Sequence, residues 1–149
     1  MAEKPDISIV TVNFNGIQDT RELLDSIDRR THDVSIEVIV VDNGSVNDEA
    51  AILASEYRHH KILRSQVNLG FSGGNNIGIK ASSGRYILLL NNDTIIVDNS
   101  ISVLLSTLES IPSAGAVSPK IYYNESSKII QFAGFTEFSK ITIRNSIIG

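Results

Sequence analysis

The chain has 149 residues, 42% of them apolar and 20% charged, an ordinary composition for one globular domain with a buried core. Its net charge of −4 argues against a nucleic-acid backbone as the main partner, and the absence of cysteine excludes a disulfide framework and a thiolate metal site. No apolar run approaches the roughly 20 residues of a membrane span, and the polar start Met1-Ala2-Glu3-Lys4-Pro5-Asp6 does not resemble a signal peptide, so the expected location is cytoplasmic.

Ile7 to Val12 is apolar and β-branched, broken only by Ser8 and Thr11. It predicts a buried strand ending at Asn13-Phe14-Asn15-Gly16. Asn15 or Asp19 is placed to cap a helix over 20–30, where Leu23, Leu24 and Ile27 form an apolar stripe. Ile36 to Val41 predicts a second strand, stopped by the turn composition Asp42-Asn43-Gly44-Ser45. Asn47 and Asp48 cap a second helix carried by residues 50–54, and Lys61 to Arg64 is a short third strand. The glycine- and asparagine-rich stretch 68–79 reads as a long loop whose second half opens a third helix. That helix runs to Ser82 or Ser83, with Gly84 as its left-handed terminator. Tyr86 to Leu90 reads as a strand buried on both faces, ending in Asn91-Asn92-Asp93-Thr94. Asp98-Asn99-Ser100 cap a fourth helix through Glu109, Pro112 closes it, and Ala114 to Ser118 is a fifth strand. Beyond Pro119, residues 121–123, 128–132, 134–138 and 141–143 read as short antiparallel strands or irregular segments. The alternation implies an α/β fold in a single domain: a mostly parallel, Rossmann-like central sheet with helices on both faces.

Three of the strands end in polar residues: Asn13 with Phe14, Asp42 with Asn43, and Asn91-Asn92-Asp93. Parallel strands place all three ends on one edge of the sheet, where ligands bind in open α/β folds. Asp93 beside amide oxygens offers hard donors for Mg²⁺ or Mn²⁺; the same residues also fit a plain turn. Asp42 and Asn43 can pair with a base edge or form a turn, and Phe14 can cover a base face or pack in the core. The glycines at 70, 73, 74 and 78 match neither a dinucleotide fingerprint nor a phosphate-cradling P-loop, but they suit close approach of backbone to a ligand. His59 and His60, in a helix-to-strand link, read as solvated members of a basic face with Arg58, Lys61 and Arg64.

Four stretches carry a family resemblance: Ile9-Val10-Thr11-Val12-Asn13-Phe14-Asn15, Val40-Val41-Asp42-Asn43-Gly44-Ser45, Asn68-Leu69-Gly70-Phe71-Ser72-Gly73-Gly74-Asn75-Asn76-Ile77-Gly78 and Leu89-Leu90-Asn91-Asn92-Asp93-Thr94. In this order and spacing, over residues 6–120, the sequence resembles the nucleotide-sugar-binding half of a family 2 glycosyltransferase with the GT-A fold. It is most similar to bacterial, rhamnosyltransferase-like members that build cell-surface polysaccharide. The resemblance implies that Val12, Asn13, Phe14, Asp42, Asn43, Gly73, Asn76, Asn91 and Asn92 bind a nucleotide diphosphate sugar, such as a UDP- or dTDP-sugar. Asp93 would stand as the last residue of the Asp-x-Asp-type motif, here Asn91-Asn92-Asp93, and would bind Mn²⁺ or Mg²⁺. The implied reaction is inverting transfer to a saccharide or lipid-linked acceptor.

The family's general base lies in the acceptor-binding half, which the resemblance places beyond Gly149. The chain is therefore expected to be a truncated domain that binds donor and metal but transfers little. The full-length enzyme would be cytoplasmic or peripheral at the inner membrane. Ile141, Ile143, Ile147 and Ile148, without the cover of the acceptor half, are expected either to be disordered or to pack against another copy of the chain. A related reading, a sugar-nucleotide pyrophosphorylase or cytidylyltransferase, needs a glycine-rich basic loop after the first strand, which Asn13-Phe14-Asn15-Gly16-Ile17-Gln18 lacks. A non-catalytic nucleotide-binding module is a further alternative. A phospho-acceptor receiver is disfavoured, because the third strand ends at Ser65-Gln66 and the first offers no carboxylate.

Overall fold

The computed structural model describes residues 4–124 and 126–134. The chain divides into two units, residues 1–98 and 99–149. The first unit holds β1 (Ile7–Asn13), α1 (Ile17–Arg30), β2 (Ile36–Asn43), α2 (Glu49–Glu56), β3 (Lys61–Ser65), α3 (Gly70–Ala81) and β4 (Tyr86–Asn91). Its four strands form one all-parallel sheet in the order β3-β2-β1-β4. This is the mixed α/β architecture expected of a GT-A core.

β1 and β2 are central, and their β-branched runs are buried on both faces: Ile9, Val10, Val40 and Val41 are inaccessible to solvent. One face packs on α3, where Val10, Ile39 and Val41 meet Leu63, Ile77 and Ala81. The other face receives α1 and α2: the Thr20 hydroxyl donates to Asn13 Oδ1, and Asn13 Nδ2 donates to Glu49. The apolar stripe of α1, Leu23, Leu24 and Ile27, is fully buried.

Several elements differ from the expectation. α1 starts at Ile17 behind Gly16, with no side-chain cap from Asn15 or Asp19. Asp48 does cap α2, accepting from the Ala51 amide at 3.0 Å. α3 begins at Gly70, so the glycine-rich stretch is mostly helix. Its first amides are satisfied from outside: Gly70 N–H donates to Asn68 Oδ1 at 2.8 Å, and Leu69 N–H to Asn43 Oδ1 at 3.1 Å. Glycine lowers helix propensity, but here it permits contact. A Cβ on Gly74 would lie 2.8 Å from Val12 Cγ1, and one on Gly78 2.3 Å from Val10 Cγ1. Gly84 terminates nothing, since α3 ends at Ser82 in extended backbone. It is glycine because a Cβ would sit 2.6 Å from the Ser8 backbone nitrogen. β4 is not buried on both faces: Ile87 and Leu89 are 45% and 48% exposed, because β4 is the sheet's edge and α3 covers β1 and β2.

The second unit holds α4 (Ser100–Ser110) and the antiparallel pair β5 (Ile121–Tyr123) and β6 (Ser126–Phe132). Residues 114–118 form no strand; Ala114 N–H closes a turn onto the Ile111 carbonyl at 2.8 Å. The expected segments 135–138 and 141–143, and the isoleucines proposed for self-association, lie outside the described residues. No helix among the described residues is long and apolar enough to cross a membrane.

At the N-terminal edge of the sheet, Glu37 Oε1 accepts from Ser8 Oγ at 2.5 Å, Ser83 N at 2.5 Å, Ser83 Oγ at 2.9 Å and Gly84 N at 3.1 Å. Burial by itself raises this carboxyl, but the surrounding hydroxyls and amides outweigh it and hold Glu37 below the usual glutamate value. The ionised form therefore contributes stability above the ordinary glutamate range, and that contribution is lost as pH falls through the lowered native value. Glu37→Gln is expected to cost about 2 kcal/mol at pH 7, with the gap to the parent narrowing below about pH 4; urea titrations across pH measure it. Gly78→Ala sets a helix-propensity gain of about 0.5–1 kcal/mol against overpacking of about 1–3 kcal/mol. Val10 is wholly enclosed and cannot yield, so net destabilisation is expected in the same assay.

Candidate functional site

The sheet register brings the polar strand ends together. Asn13 pairs with Asp42 across β1 and β2, and Asn91 with Val12 across β1 and β4. All the strands are parallel, so these residues share the C-terminal edge.

At its centre lies Asn13, with no exposure to solvent. Its Oδ1 accepts from Thr20 Oγ1 at 2.8 Å. Its Nδ2 donates to Glu49 Oε2 at 2.7 Å, with longer contacts of 3.3 Å to Asp42 Oδ1 and Ser45 Oγ. Ser45 Oγ in turn donates to Asp42 Oδ1 at 2.5 Å and accepts from the Asn15 amide at 2.8 Å. Asn15, held at φ 52°, returns its side-chain oxygen to the Val46 amide at 2.9 Å. The β1–α1 and β2–α2 loops are thus clamped to each other by short polar bonds. Burying two carboxylates, Asp42 and Glu49, is tolerable only because these donors surround them.

The other sequence-marked residues divide into committed and available groups. Asn43 is committed: its Nδ2 donates to Asn68 Oδ1 at 3.1 Å and to the Gly70 carbonyl at 3.0 Å, pinning the start of α3. Asn92 reaches back to the Gly16 carbonyl at 3.4 Å and Thr20 Oγ1 at 3.2 Å, tying the end of β4 to α1. Val12 is half-buried under Gly74. Phe14 is 47% exposed, and Asn91, Asp93 and Asn76 are exposed. Gly73 lies on the first turns of α3, where a Cβ would meet Leu69. Asp42 has one oxygen in the network; its other, Oδ2, is buried without a hydrogen-bond partner among the described residues. Arg64 Nε stands 3.7 Å from that oxygen, while Arg64 Nη1 pairs with Asp48 at 2.6 Å.

Sequence reasoning passed over Ser45, Glu49 and Arg64. Ser45 looked like turn composition, and Glu49 was not singled out; it opens α2 and so comes within reach of Asn13. Arg64 was grouped with a basic face, but it is the β3 residue in register with Asp42. The histidines also depart from that grouping. The His60 side chain is only 5% exposed, and both rings face Asp28 at the opposite edge of the sheet. Burial, the largest influence, pushes the His60 imidazole below its ordinary value against the pull of Asp28.

Comparison with known proteins gives a consistent result. The model of a family described as glycosyl transferase family 2 matches residues 8–146. An uncharacterized glycosyltransferase of Rickettsia bellii is 30% identical over 110 residues, covering 69% of this chain and 15% of the relative. A poly-β-1,6-N-acetyl-D-glucosamine synthase of Staphylococcus epidermidis is 26% identical over 137 residues, covering 91% of this chain and 33% of the synthase. The chain thus spans a third or less of these relatives. Among solved structures, S. aureus TarS 1–349 in complex with UDP-GlcNAc superposes with a TM-score of 0.62 at 18% identity, covering 78% of this chain and 40% of that one.

If Asn13 holds the clamp, Asn13→Ala leaves two buried carboxylates short of a donor and is expected to cost about 2–4 kcal/mol in urea unfolding. Asn13→Asp, which adds a third carboxylate beside Asp42 and Glu49, is expected to lose more at pH 7 than Asn13→Ala.

Proposed function

The chain belongs to glycosyl transferase family 2, and from that membership we propose that it forms the donor-binding part of an inverting transferase acting on a nucleotide diphosphate sugar. The observation that carries the reading is the alignment of Asn13, Asp42 and Asn91-Asn92-Asp93 on one edge of a parallel sheet. Phe14 stands half-exposed beside them.

The residues divide the work by what they leave free. Phe14 offers an open aromatic face to the base, and Val12 forms the floor beside it. Asp42 Oδ2, an acceptor lacking a hydrogen bond, would take a base N–H once the Arg64 side chain is displaced from it. Asn13, Asn43 and Asn92 act mainly by fixing the loops, while Gly73 and Asn76 present the start of α3. Asp93, with the carboxamide oxygen of Asn91 near it in sequence, would hold Mn²⁺ or Mg²⁺; exposed hard oxygens with room for waters and diphosphate fit such an ion. When bound, the cation neutralises charge on the departing diphosphate.

In the proposed reaction an acceptor hydroxyl attacks the anomeric carbon in line, the bond to the diphosphate oxygen breaks, and the hydroxyl proton passes to a base. No residue of this chain is assigned as that base. The acceptor is proposed to be a saccharide or lipid-linked saccharide of a cell-surface polysaccharide, with rhamnosyl or another hexosyl group transferred. The synthase relative supports a polysaccharide product and the UDP-GlcNAc complex a nucleotide-sugar donor; neither bears on rhamnose.

Calorimetric titration with UDP and dTDP, each with and without Mn²⁺, tests the proposal. Metal-dependent binding of at least one nucleotide is expected. Asp93→Ala should weaken it by about tenfold or more, or about 1.4 kcal/mol, with unchanged thermal unfolding, because the side chain is exposed. Absence of heat with either nucleotide, or equal affinity in the variant, overturns the assignment.

A further inference from the structure

At the edge of the sheet opposite the nucleotide-sugar site, a second polar cluster has no part in the chemistry above. Asp28 lies on the last turn of α1, and the consecutive histidines His59 and His60 lie just before β3. Their ligand atoms all fall within 4.8 Å of one another. Asp28 Oδ2 is 2.9 Å from His59 Nε2, and Asp28 Oδ1 is 3.1 Å from His60 Nε2.

We propose that Asp28, His59 and His60 form a binding site for a divalent cation of the Zn²⁺ class, distinct from the hard-cation position at Asp93. Two imidazoles and a carboxylate are the donor set of an open zinc site, whose fourth position is left to water. Ligand atoms about 2.0–2.2 Å from a tetrahedral ion lie about 3.3–3.5 Å apart. The two short pairs use different oxygens of Asp28, so closing on one ion takes a small rotation of the carboxylate or of the exposed His59 ring, from ligand atoms that already lie within 4.8 Å of one another. Imidazole donors favour this class of ion over Mg²⁺ or Ca²⁺, which take oxygen ligands.

The second, independent observation is His60 Nε2 itself. It is buried, on a side chain 5% exposed, and among the described residues it makes no hydrogen bond even though Asp28 Oδ1 is 3.1 Å away. The nitrogen faces the carboxylate without the alignment of a hydrogen bond, and a buried polar atom left so is unfavourable. A cation held by both atoms would satisfy it. The ring is set in place by a parallel stack on Tyr57, with centroids 6.0 Å apart and planes 8° apart. Tyr57 is held in turn by its hydroxyl, which donates to Asp25 Oδ1 at 2.8 Å. His59, with a side chain 61% exposed, leaves the cluster open to an arriving ion and to water. A bound ion would tie α1 to the start of β3 across 31 residues of chain.

The test is a titration of the metal-stripped chain with ZnCl₂ by calorimetry, followed by thermal unfolding with and without the ion. The parent is expected to bind about one ion per chain and to unfold at a higher temperature when it is present. Asp28→Asn and the solvent-facing His59→Ala should each weaken Zn²⁺ binding by about tenfold or more and abolish the thermal shift. His32→Ala and Asp93→Ala should retain both, which separates this site from the nucleotide site and from incidental binding by a lone histidine. A folded parent that does not bind Zn²⁺, or Asp28→Asn and His59→Ala variants that bind it as the parent does, would show the cluster to be only a histidine–aspartate contact and overturn the proposal.

Discussion

The carboxamide of Asn13 joins β1, α1, β2 and α2 at one point. Its oxygen takes the Thr20 hydroxyl and its nitrogen serves Glu49, Asp42 and Ser45, all of them buried. An apolar residue there would leave two carboxylates buried without a donor, a state that folded chains avoid. Other parts of the candidate site depend on this node. The Ser45–Asn15 clamp fixes the loop that carries Phe14, and Asn92 fastens the end of β4 to the same Thr20 hydroxyl. The loops at this edge are thus fixed by polar bonds within the protein, and Phe14, Asn91 and Asp93 are left exposed.

The two edges of the sheet treat charge differently. At the C-terminal edge carboxylate oxygens are either held by donors, as with Glu49 and one oxygen of Asp42, or left open, as with Asp93. At the N-terminal edge Glu37 is enclosed by hydroxyls and amides and acts as a staple between β2, β1 and the chain entering β4. Asp28 belongs to neither pattern, since its two oxygens face two imidazoles and one of those imidazoles lacks a hydrogen bond. The contrast separates side chains that hold the fold from those with capacity to spare for a ligand.

Much of the first unit was legible in the residues because burial on both faces leaves a simple signature. The β-branched runs at 7–12 and 36–41 could hardly be anything but central strands, and parallel pairing follows from the helices between them. The Asn13, Asp42 and Asn91-Asn92-Asp93 ends could be assigned to one edge on that basis alone. Elsewhere local signals misled. The glycines of 70–78 lower helix propensity, yet they lie in a helix because side chains of Asn43 and Asn68 satisfy its first amides and because only glycine lets α3 approach Val10 and Val12. Residues 114–118 have a strand-like pattern but are irregular, following a turn that the Ala114 N–H closes onto the Ile111 carbonyl. His59 and His60 look solvated in a charged run, and nothing local shows that Asp28 waits 31 residues upstream.

The sequence by itself determined the strand and helix alternation, the parallel sheet, the edge on which the polar strand ends meet and, through its four motifs, the family. These are properties of period, composition and order, which are local or additive along the chain. Only the tertiary structure decided which polar residues are spent and which remain free. Asn13 and Asn43 are consumed in holding loops, Asp42 keeps one oxygen without a hydrogen bond, and His60 is buried against Asp28. Hydrogen-bond capacity is divided among neighbours that are distant in sequence, so no single residue carries the record of what its partners have left it.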